Sequence, residues 1–568
     1  MKFLEKAKSS NFPTSSLIAL LIITAGALFV RLYGLSEYYL TNDEAWHLVV
    51  ADQKNLWEII QFNFRQEIHP PLSNIIWHFA LKISRDVLWL RCASLICSVA
   101  LIPAAYLFGS LYISKKAGLF MALIVAFGAL SVSIGASIRA YPMLMLALVF
   151  AAIFLFKYRQ GQNKKTNLSL YFLCTLIAIE LNHAAAFLVF AFGLILLRDC
   201  LIQKNKKDFL LIAFAHLFFA FLVIGYSYLL TNRYEFAGNY GYFSSGENLS
   251  EKSFSNLKNF IRFLTWFLAA ESNENPVLEA IKSISIIAFI ISTAALIRSK
   301  KWLLLHLAFT PIFAICAADY FGEYPFSPNP RNNLFLILSL LIVLGYFFQL
   351  ASNFFTYFLP EKFTKNKICQ QLQILALALA TIMISKSFLE KNFFRNEAPN
   401  CEEFLTTKND RDLMLAKLEK KTAQNNIFVT TNSNIWGFQF EAGKAGHAEY
   451  LTKNLAHFKN EKTSIYFTSF PERELGSTMD IARYKLFFAD LFLHLKKHDE
   501  LKKINSFTFF AAGNKALEGF FVSDFIKKSE TKSQLISSSI FQNAQSGCNA
   551  SMMIFSLKRK FIEEELIR

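Results

Sequence analysis

Residues 209–230 read FLLIAFAHLFFAFLVIGYSYLL, without one Asp, Glu, Lys or Arg among them. As a helix this stretch is about 33 Å long, enough to cross a hydrocarbon core of about 30 Å. Apolar runs of similar character recur at residues 17–30, 119–130, 143–156 and 334–348, so the chain is predicted to cross a membrane many times.

Composition agrees with that reading. Of 568 residues, 54% are hydrophobic, 15% aromatic and only 18% charged, a balance that a soluble multidomain protein does not need in order to build its cores. A formal charge of +17 raises nucleic acid as a partner, but the positions of the cations argue against it. They cluster at Lys2, Lys6 and Lys8; Lys115 and Lys116; Lys157, Arg159, Lys164 and Lys165; Arg198, Lys204, Lys206 and Lys207; Arg298, Lys300 and Lys301; and Lys362, Lys365 and Lys367. Each cluster follows an even number of expected crossings, the pattern of cytoplasmic loops under the positive-inside rule. The expected partners are membrane lipid and lipid-linked substrates, with no nucleic acid.

About 11 spans are expected, at about 14–33, 87–112, 117–133, 140–157, 169–181, 183–197, 209–230, 278–297, 302–318, 333–357 and 369–388. The first could be a signal peptide, because Ala25-Gly26-Ala27 resembles a cleavage site. The apolar run continues through Leu28, Phe29 and Val30, which favours a retained anchor. With the N-terminus cytoplasmic, this count puts residues 34–86, 231–277, 319–332 and the tail on the outside. The localisation that follows is a multi-pass protein of the bacterial inner membrane. Residues 1–388 form the expected transmembrane domain and residues 389–568 an external soluble one.

The first external segment contains apolar stretches too short to span, such as 72–83, which suit helices lying in the interface; Trp77 and Trp89 fit that boundary. The second carries Tyr234, Tyr240, Tyr242 and Phe243 among Gly and Ser, the composition of a loop that can cover a ligand. In the tail, short strand-like runs at 427–429, 464–467 and 507–511 alternate with helix-like segments at 410–421 and 481–495, so a small α/β domain is expected. It carries no catalytic motif, and an accessory or acceptor-facing role is its default. Of eight cysteines, Cys92, Cys97, Cys174, Cys200, Cys316 and Cys369 fall in or beside spans as apolar fillers, while Cys401 and Cys548 lie in the tail, where a disulfide is permitted.

Chemistry concentrates after the first span, in Tyr38-Tyr39-Leu40-Thr41-Asn42-Asp43-Glu44-Ala45-Trp46-His47. An acidic pair in a loop is by default solvated surface. Here it is followed by Glu67-Ile68-His69-Pro70-Pro71-Leu72, whose prolines fix a sharp entry into the next helix and can hold Glu67 and His69 near a site. His216 and His306 fall within or near spans and read as packed or hydrogen-bonded.

In its ordered motifs the chain resembles the bacterial polyprenyl-phosphate-dependent glycosyltransferases of the GT-C class, the group related to protein O-mannosyltransferases and aminoarabinose transferases. The resemblance lies in an early Asp43-Glu44-Ala45, then His69-Pro70-Pro71-Leu72, Leu90-Arg91 with Ser94, and Arg139-Ala140-Tyr141, within residues 15–350. It implies a polytopic α-helical GT-C fold and an inverting hexosyl- or pentosyltransferase that uses a polyprenyl-phosphate sugar donor. The acceptor it implies is an envelope glycan, lipid or protein at the external face. Asp43 becomes the base, with Glu44 beside it. Glu67, His69, Arg139, Tyr141, His183 and Arg331 take substrate-binding places. His47 stands where a Tyr is common, Asn182-His183 replaces a Thr-His type pair, and Arg331 follows Pro328-Asn329-Pro330, so donor and acceptor identities stay open.

The residue types suit that reaction. A carboxylate can take the acceptor hydroxyl's proton, and fixed cations stabilise the phosphate charge that grows as the glycosidic bond breaks. The sequence shows no cofactor box; a divalent metal on His69 and His183 with Asp43 or Glu44 stays open, without close His-His spacing to support it. Two other classes compete. A transporter or flippase of lipid-linked sugars would show internal repeats or paired broken helices, which are not evident. A non-enzymatic envelope assembly protein would leave Asp43, Glu44 and His69 unexplained.

Overall fold

The computed structural model describes residues 14–33, 42–66, 69–233, 256, 258–263, 265, 276–320 and 330–358, together with seven strands of the tail. The chain divides into two compact units, residues 1–35 with 53–390 and residues 36–52 with 391–568.

The described helices of the first unit are α1 (Thr14–Leu32), α3 (Leu56–Gln66), α4 (Leu72–Ile83), α5 (Val87–Tyr112), α6 (Lys115–Phe127), α7 (Ala129–Ile134), α8 (Tyr141–Arg159), α9 (Lys164–Leu181), α10 (Ala185–Ile202), α11 (Lys206–Arg233), α12 (Pro276–Arg298), α13 (Trp302–Tyr320) and α14 (Ile337–Phe358), the last led by a 3-10 turn at Pro330–Leu336. Helix α2 (Asn42–Ala51) belongs to the second unit. Among the described residues six helical stretches are long and apolar enough to cross a membrane: Val87–Tyr112, Tyr141–Arg159, Ala185–Ile202, Lys206–Tyr226, Trp302–Tyr320 and Arg331–Phe354. Shorter apolar helices cover Ser16–Leu32 and Ser283–Arg298. The span expected at 369–388 lies outside the described residues.

Side chains stop and start these helices where the sequence places polar residues among apolar ones. Asp86 caps α5 by accepting from the backbone N–H groups of Leu88 (2.9 Å) and Trp89 (3.1 Å), and Ser114 caps α6 from Ala117 (3.2 Å). Asn205 and Asp208 cap α11 reciprocally: Asn205 Oδ1 accepts from the Asp208 N–H while its amide donates to the Asp208 carboxylate. Helices α5 and α6 approach closely because Gly109 faces Gly118; a Cβ on Gly109 would lie 2.7 Å from the Gly118 Cα. Along α11, by contrast, Leu210, Phe214, Leu217, Phe221 and Ile224 are exposed, the pattern of a helix that turns one face to lipid.

The basic ends of the helices gather together. Tyr158 donates to Asp208 (2.8 Å), Arg159 pairs with Asp199, Lys116 donates to Ser352 and Lys301 lies 4.9 Å over the Tyr346 ring. The motif residues His69, Arg139, His183 and Arg331 occupy the connections at the other ends of the same helices.

One expected span is interrupted. The segment predicted at 117–133 breaks at Gly128, whose extended backbone (φ −60°, ψ 134°) ends α6 and begins the six-residue α7. The break frees carbonyls at the C-terminal end of α6, and Arg31 from the end of α1 satisfies them. Its guanidinium donates to Ala126 O (2.6 Å), Val125 O (2.9 Å), Ala27 O (3.2 Å), Ser98 Oγ (2.8 Å) and Ser131 Oγ (3.2 Å). A cation at a helix C-terminus also opposes the partial negative charge there. Gly135 leaves the room this needs: a Cβ would sit 2.8 Å from Arg31 Nε and 2.9 Å from Ser131 O.

In the second unit the strands are β1 (Asn426–Thr431), β2 (Ala448–Thr452), β3 (Leu455–Lys459), β4 (Ser464–Phe470), β5 (Ser506–Ala512), β6 (Leu535–Gln542) and β7 (Ser551–Lys558), in the order β2-β3-β4-β1-β5-β7-β6. β1 runs parallel to β4 and β5, and the outer pairs are antiparallel. Parallel neighbours require long crossovers. The helices expected at 410–421 and 481–495, and Cys401 and Cys548, lie outside the described residues.

Replacing Arg31 by Ala strands several buried acceptors and is expected to cost about 3–5 kcal/mol, with Arg31→Lys recovering only part because it lacks the fork. Gly135→Ala is expected to cost about 1–3 kcal/mol by overpacking. Unfolding of the purified protein by SDS titration measures both; wild-type stability in Arg31→Ala would contradict the assignment.

Candidate functional site

His69 sits in the turn before α4, and its backbone is held from below. Asn63 donates its amide to the His69 carbonyl, and Asn74 donates to the Asn63 side-chain oxygen; both asparagines are buried. Pro71 occupies the N-cap position of α4 with φ −75°, so the entry expected from the two prolines is present. Two indoles then fasten α4 to α5: Trp77 Nε1 donates to Leu90 O (3.1 Å) and Trp89 Nε1 to Ala80 O (3.0 Å).

The Leu90-Arg91 and Ser94 motif acts through backbone. Arg91, buried, donates to Ala136 O (3.2 Å), and Ser94 Oγ donates to Arg139 O (3.3 Å). Both bonds hold the segment between α7 and α8 that carries Arg139. The Arg139 guanidinium lies 3.3 Å from His69 Nε2 and 5.7 Å from the centre of the Tyr141 ring. A guanidinium only donates, so His69 Nε2 accepts and the neutral ring carries its proton on Nδ1. The aromatic face adds a cation–π contact.

His183 occupies the turn between α9 and α10, where Asn182 Oδ1 accepts from the Ala184 N–H (2.9 Å). Its ring meets the Tyr226 ring edge-on, centroids 4.8 Å apart. Burial, and after it the electrostatic competition of the nearby His69 for a proton, lower the His183 pKa from 6.5 to about 4, so the ring is neutral at physiological pH. Tyr226 also shares a side-chain hydrogen bond with Glu180, in the last turn of α9. Arg331 is half-buried in the 3-10 turn Pro330–Leu336, which packs against α8, α10 and α14; Phe335 on that turn meets Phe187 at 5.5 Å near the start of α10.

The structure therefore brings together His69, Arg139, Tyr141 and His183, with the turn of Arg331 packed on α8 and α10. Asp43 and Glu44 lie in the first turn of α2, in the other unit; Glu44 is 2% exposed, as is His47, and the Asp43 side chain is outside the described residues. Glu67 and the aromatic loop at 234–243 are outside them too. Among the described residues no group of three His, Cys, Asp or Glu side chains could hold a metal ion. His216 bonds Tyr171 Oη (3.0 Å) and Ile212 O (2.8 Å), and His306 bonds Thr310 (3.1 Å), the packed roles expected of them.

Glu180, Tyr226 and Arg31 were not among the expected site residues. The available signal was charge in an apolar context: Glu180 ends one predicted span and Arg31 ends another.

No protein-family model matches the chain, and no curated protein does. Solved structures match in shape. ArnT from Cupriavidus metallidurans, bound to undecaprenyl phosphate, aligns with a TM-score of 0.50 at 10% identity over 94% of this chain and 97% of that one. The fold is that of ArnT. The Archaeoglobus fulgidus oligosaccharyltransferase in complex with Zn and sulfate aligns at 0.47 and 11% identity, over 86% of this chain and 67% of that one. AglB from the same organism, in complex with an inhibitory peptide and a dolichol-phosphate, aligns at 0.45 and 10% identity, over 87% and 69%. The likeness to ArnT runs nearly end to end, at an identity that fixes fold and nothing finer.

The His183 shift has a measurable sign. Between pH 6.5 and about 4 the unfolded chain binds a proton that the folded chain refuses, so stability falls as pH drops through that window and is level above it. His183→Gln is expected to remove on the order of 1–2 kcal/mol of the stability difference between pH 7 and pH 5. An unchanged difference in the variant would show that His183 does not titrate this way.

Proposed function

We propose that this chain is an integral membrane glycosyltransferase that moves a sugar from a polyprenyl-phosphate donor to an envelope glycan, lipid or protein acceptor. The observation that carries the reading is the Arg139 guanidinium, held between His69 and Tyr141 and fixed through its backbone by Ser94, at the helix ends away from the lysines. A rigid cation on a membrane-spanning scaffold suits a lipid phosphate, and a fold shared with a protein solved in complex with undecaprenyl phosphate supports that ligand.

In this reading the acceptor oxygen attacks the anomeric carbon as the bond from that carbon to the phosphate oxygen breaks. Asp43 takes the acceptor's proton, on the strength of its place in the Asp43-Glu44-Ala45 motif, with Glu44 and Glu67 beside the reacting groups. The electron pair of the broken bond leaves with the polyprenyl phosphate. Arg139 and Arg331 stabilise its growing charge, and His69 orients Arg139. In-line attack inverts the anomeric centre. Residues 1–388 form the catalytic domain and 389–568 an external domain. The positive-inside pattern supports a bacterial inner-membrane protein with its site outside.

Transfer of labelled sugar from synthetic polyprenyl-phosphate donors tests this with purified protein. Asp43→Asn is expected to lower the rate about 10²–10⁴-fold and Arg139→Ala about 10²–10³-fold, with both variants folded. Full activity in folded Asp43→Asn would remove the base assignment. Movement of lipid-linked sugar between leaflets without transfer would make the protein a transporter.

A further inference from the structure

Glu180 sits where elementary electrostatics disfavours it. The last turn of a helix presents carbonyl oxygens, which repel a carboxylate, and its neighbours Ile179 and Leu181 are buried and apolar. What holds it is Tyr226, whose hydroxyl donates to the Glu180 carboxylate from α11. The same Tyr226 ring makes the T-shaped contact with His183, centroids 4.8 Å apart. His183 Nε2 in turn is a buried ring nitrogen with no hydrogen-bond partner among the described residues. A buried polar atom left unmatched costs folding free energy, and such atoms mark places where a ligand completes the bonding.

We infer that Glu180 and Tyr226 are positioning residues that aim His183 at an uncharged hydroxyl of the donor sugar, so that these three form a sugar-recognising subsite beside the phosphate-binding cation. The inference rests on the donor class proposed above. A neutral imidazole offers one donor and one acceptor nitrogen, and a hydroxyl can use either. Phosphate suits this corner poorly: the Glu180 carboxylate repels an anion, while Arg139, beside His69, attracts it. Among the described residues, the groups set near His183 are Tyr226, in ring contact with it and bonded to Glu180, and His69, whose ring meets Arg139. Burial, which keeps His183 neutral, agrees with a hydroxyl partner.

The test measures the affinity of full-length protein for undecaprenyl phosphate and for undecaprenyl phosphates carrying a panel of hexoses and pentoses. Wild type is expected to bind at least one sugar-bearing lipid about tenfold more tightly than the bare lipid. Tyr226→Phe, Glu180→Gln and His183→Leu are each expected to bring the two within about twofold, and His183→Gln, whose amide can donate and accept, to recover part of the preference. Tyr226→Phe removes a single oxygen and carries the test alone if Glu180→Gln does not fold. A sugar preference that survives in folded Tyr226→Phe overturns the inference, as does a wild type that prefers no sugar-bearing lipid over the bare one. Failure of wild type to bind even the bare lipid defeats the polyprenyl-phosphate reading itself, and the subsite with it.

Discussion

A guanidinium at the end of the first helix sets the geometry on which the candidate site stands. Arg31 is 3% exposed, and its hydrogen bonds reach its own helix, α5, the broken end of α6 and the start of α7. A helix that stops inside an apolar bundle leaves carbonyls with no water to satisfy them, a cost that membrane proteins accept only where irregular backbone is needed. Here the helix breaks at Gly128, resumes for the single short helix α7, and then runs irregularly from Gly135 to Ala140, the stretch that carries Arg139. Arg31 satisfies the break, Gly135 makes room for it, and Arg91 and Ser94 fix the segment from α5.

The consequence is a division of charge between the two ends of the bundle. At one end, Arg159 pairs with Asp199, the Tyr158 hydroxyl donates to Asp208, and Lys301 lies over the Tyr346 ring. At the other, Arg139 meets the His69 imidazole and the face of the Tyr141 ring. In the proposed reaction that guanidinium meets the anion that arrives with the substrate. His183, neutral and with its Nε2 buried, suits a polar but uncharged group beside it.

Much of this was legible in the sequence because lipid allows few solutions. Uncharged runs such as 209–230 specify helices, and the prolines at 70 and 71 specify the turn that presents His69. The motif order pointed to Arg139, Tyr141 and His183 as neighbours in function. What it did not reveal was the mechanism of support. Arg91 and Ser94 look like candidate ligands in one dimension, yet both bond to backbone, and the break at Gly128 sits within a run whose hydropathy is continuous. Periodicity reports which face of a helix is apolar; it does not report where a carbonyl needs a donor from another helix. The pairing of Glu180 with Tyr226 spans two helices and was invisible for the same reason. The base role of Asp43, and the place of Glu44 beside it, rest on motif order.

The central claim is that a polyprenyl phosphate binds at the Arg139 end of the bundle. A structure of the purified protein in complex with undecaprenyl phosphate tests it directly. The account requires the phosphate within hydrogen-bonding distance of the Arg139 guanidinium; a phosphate seated among Lys115, Lys116, Lys164 and Lys165 at the opposite end would contradict it.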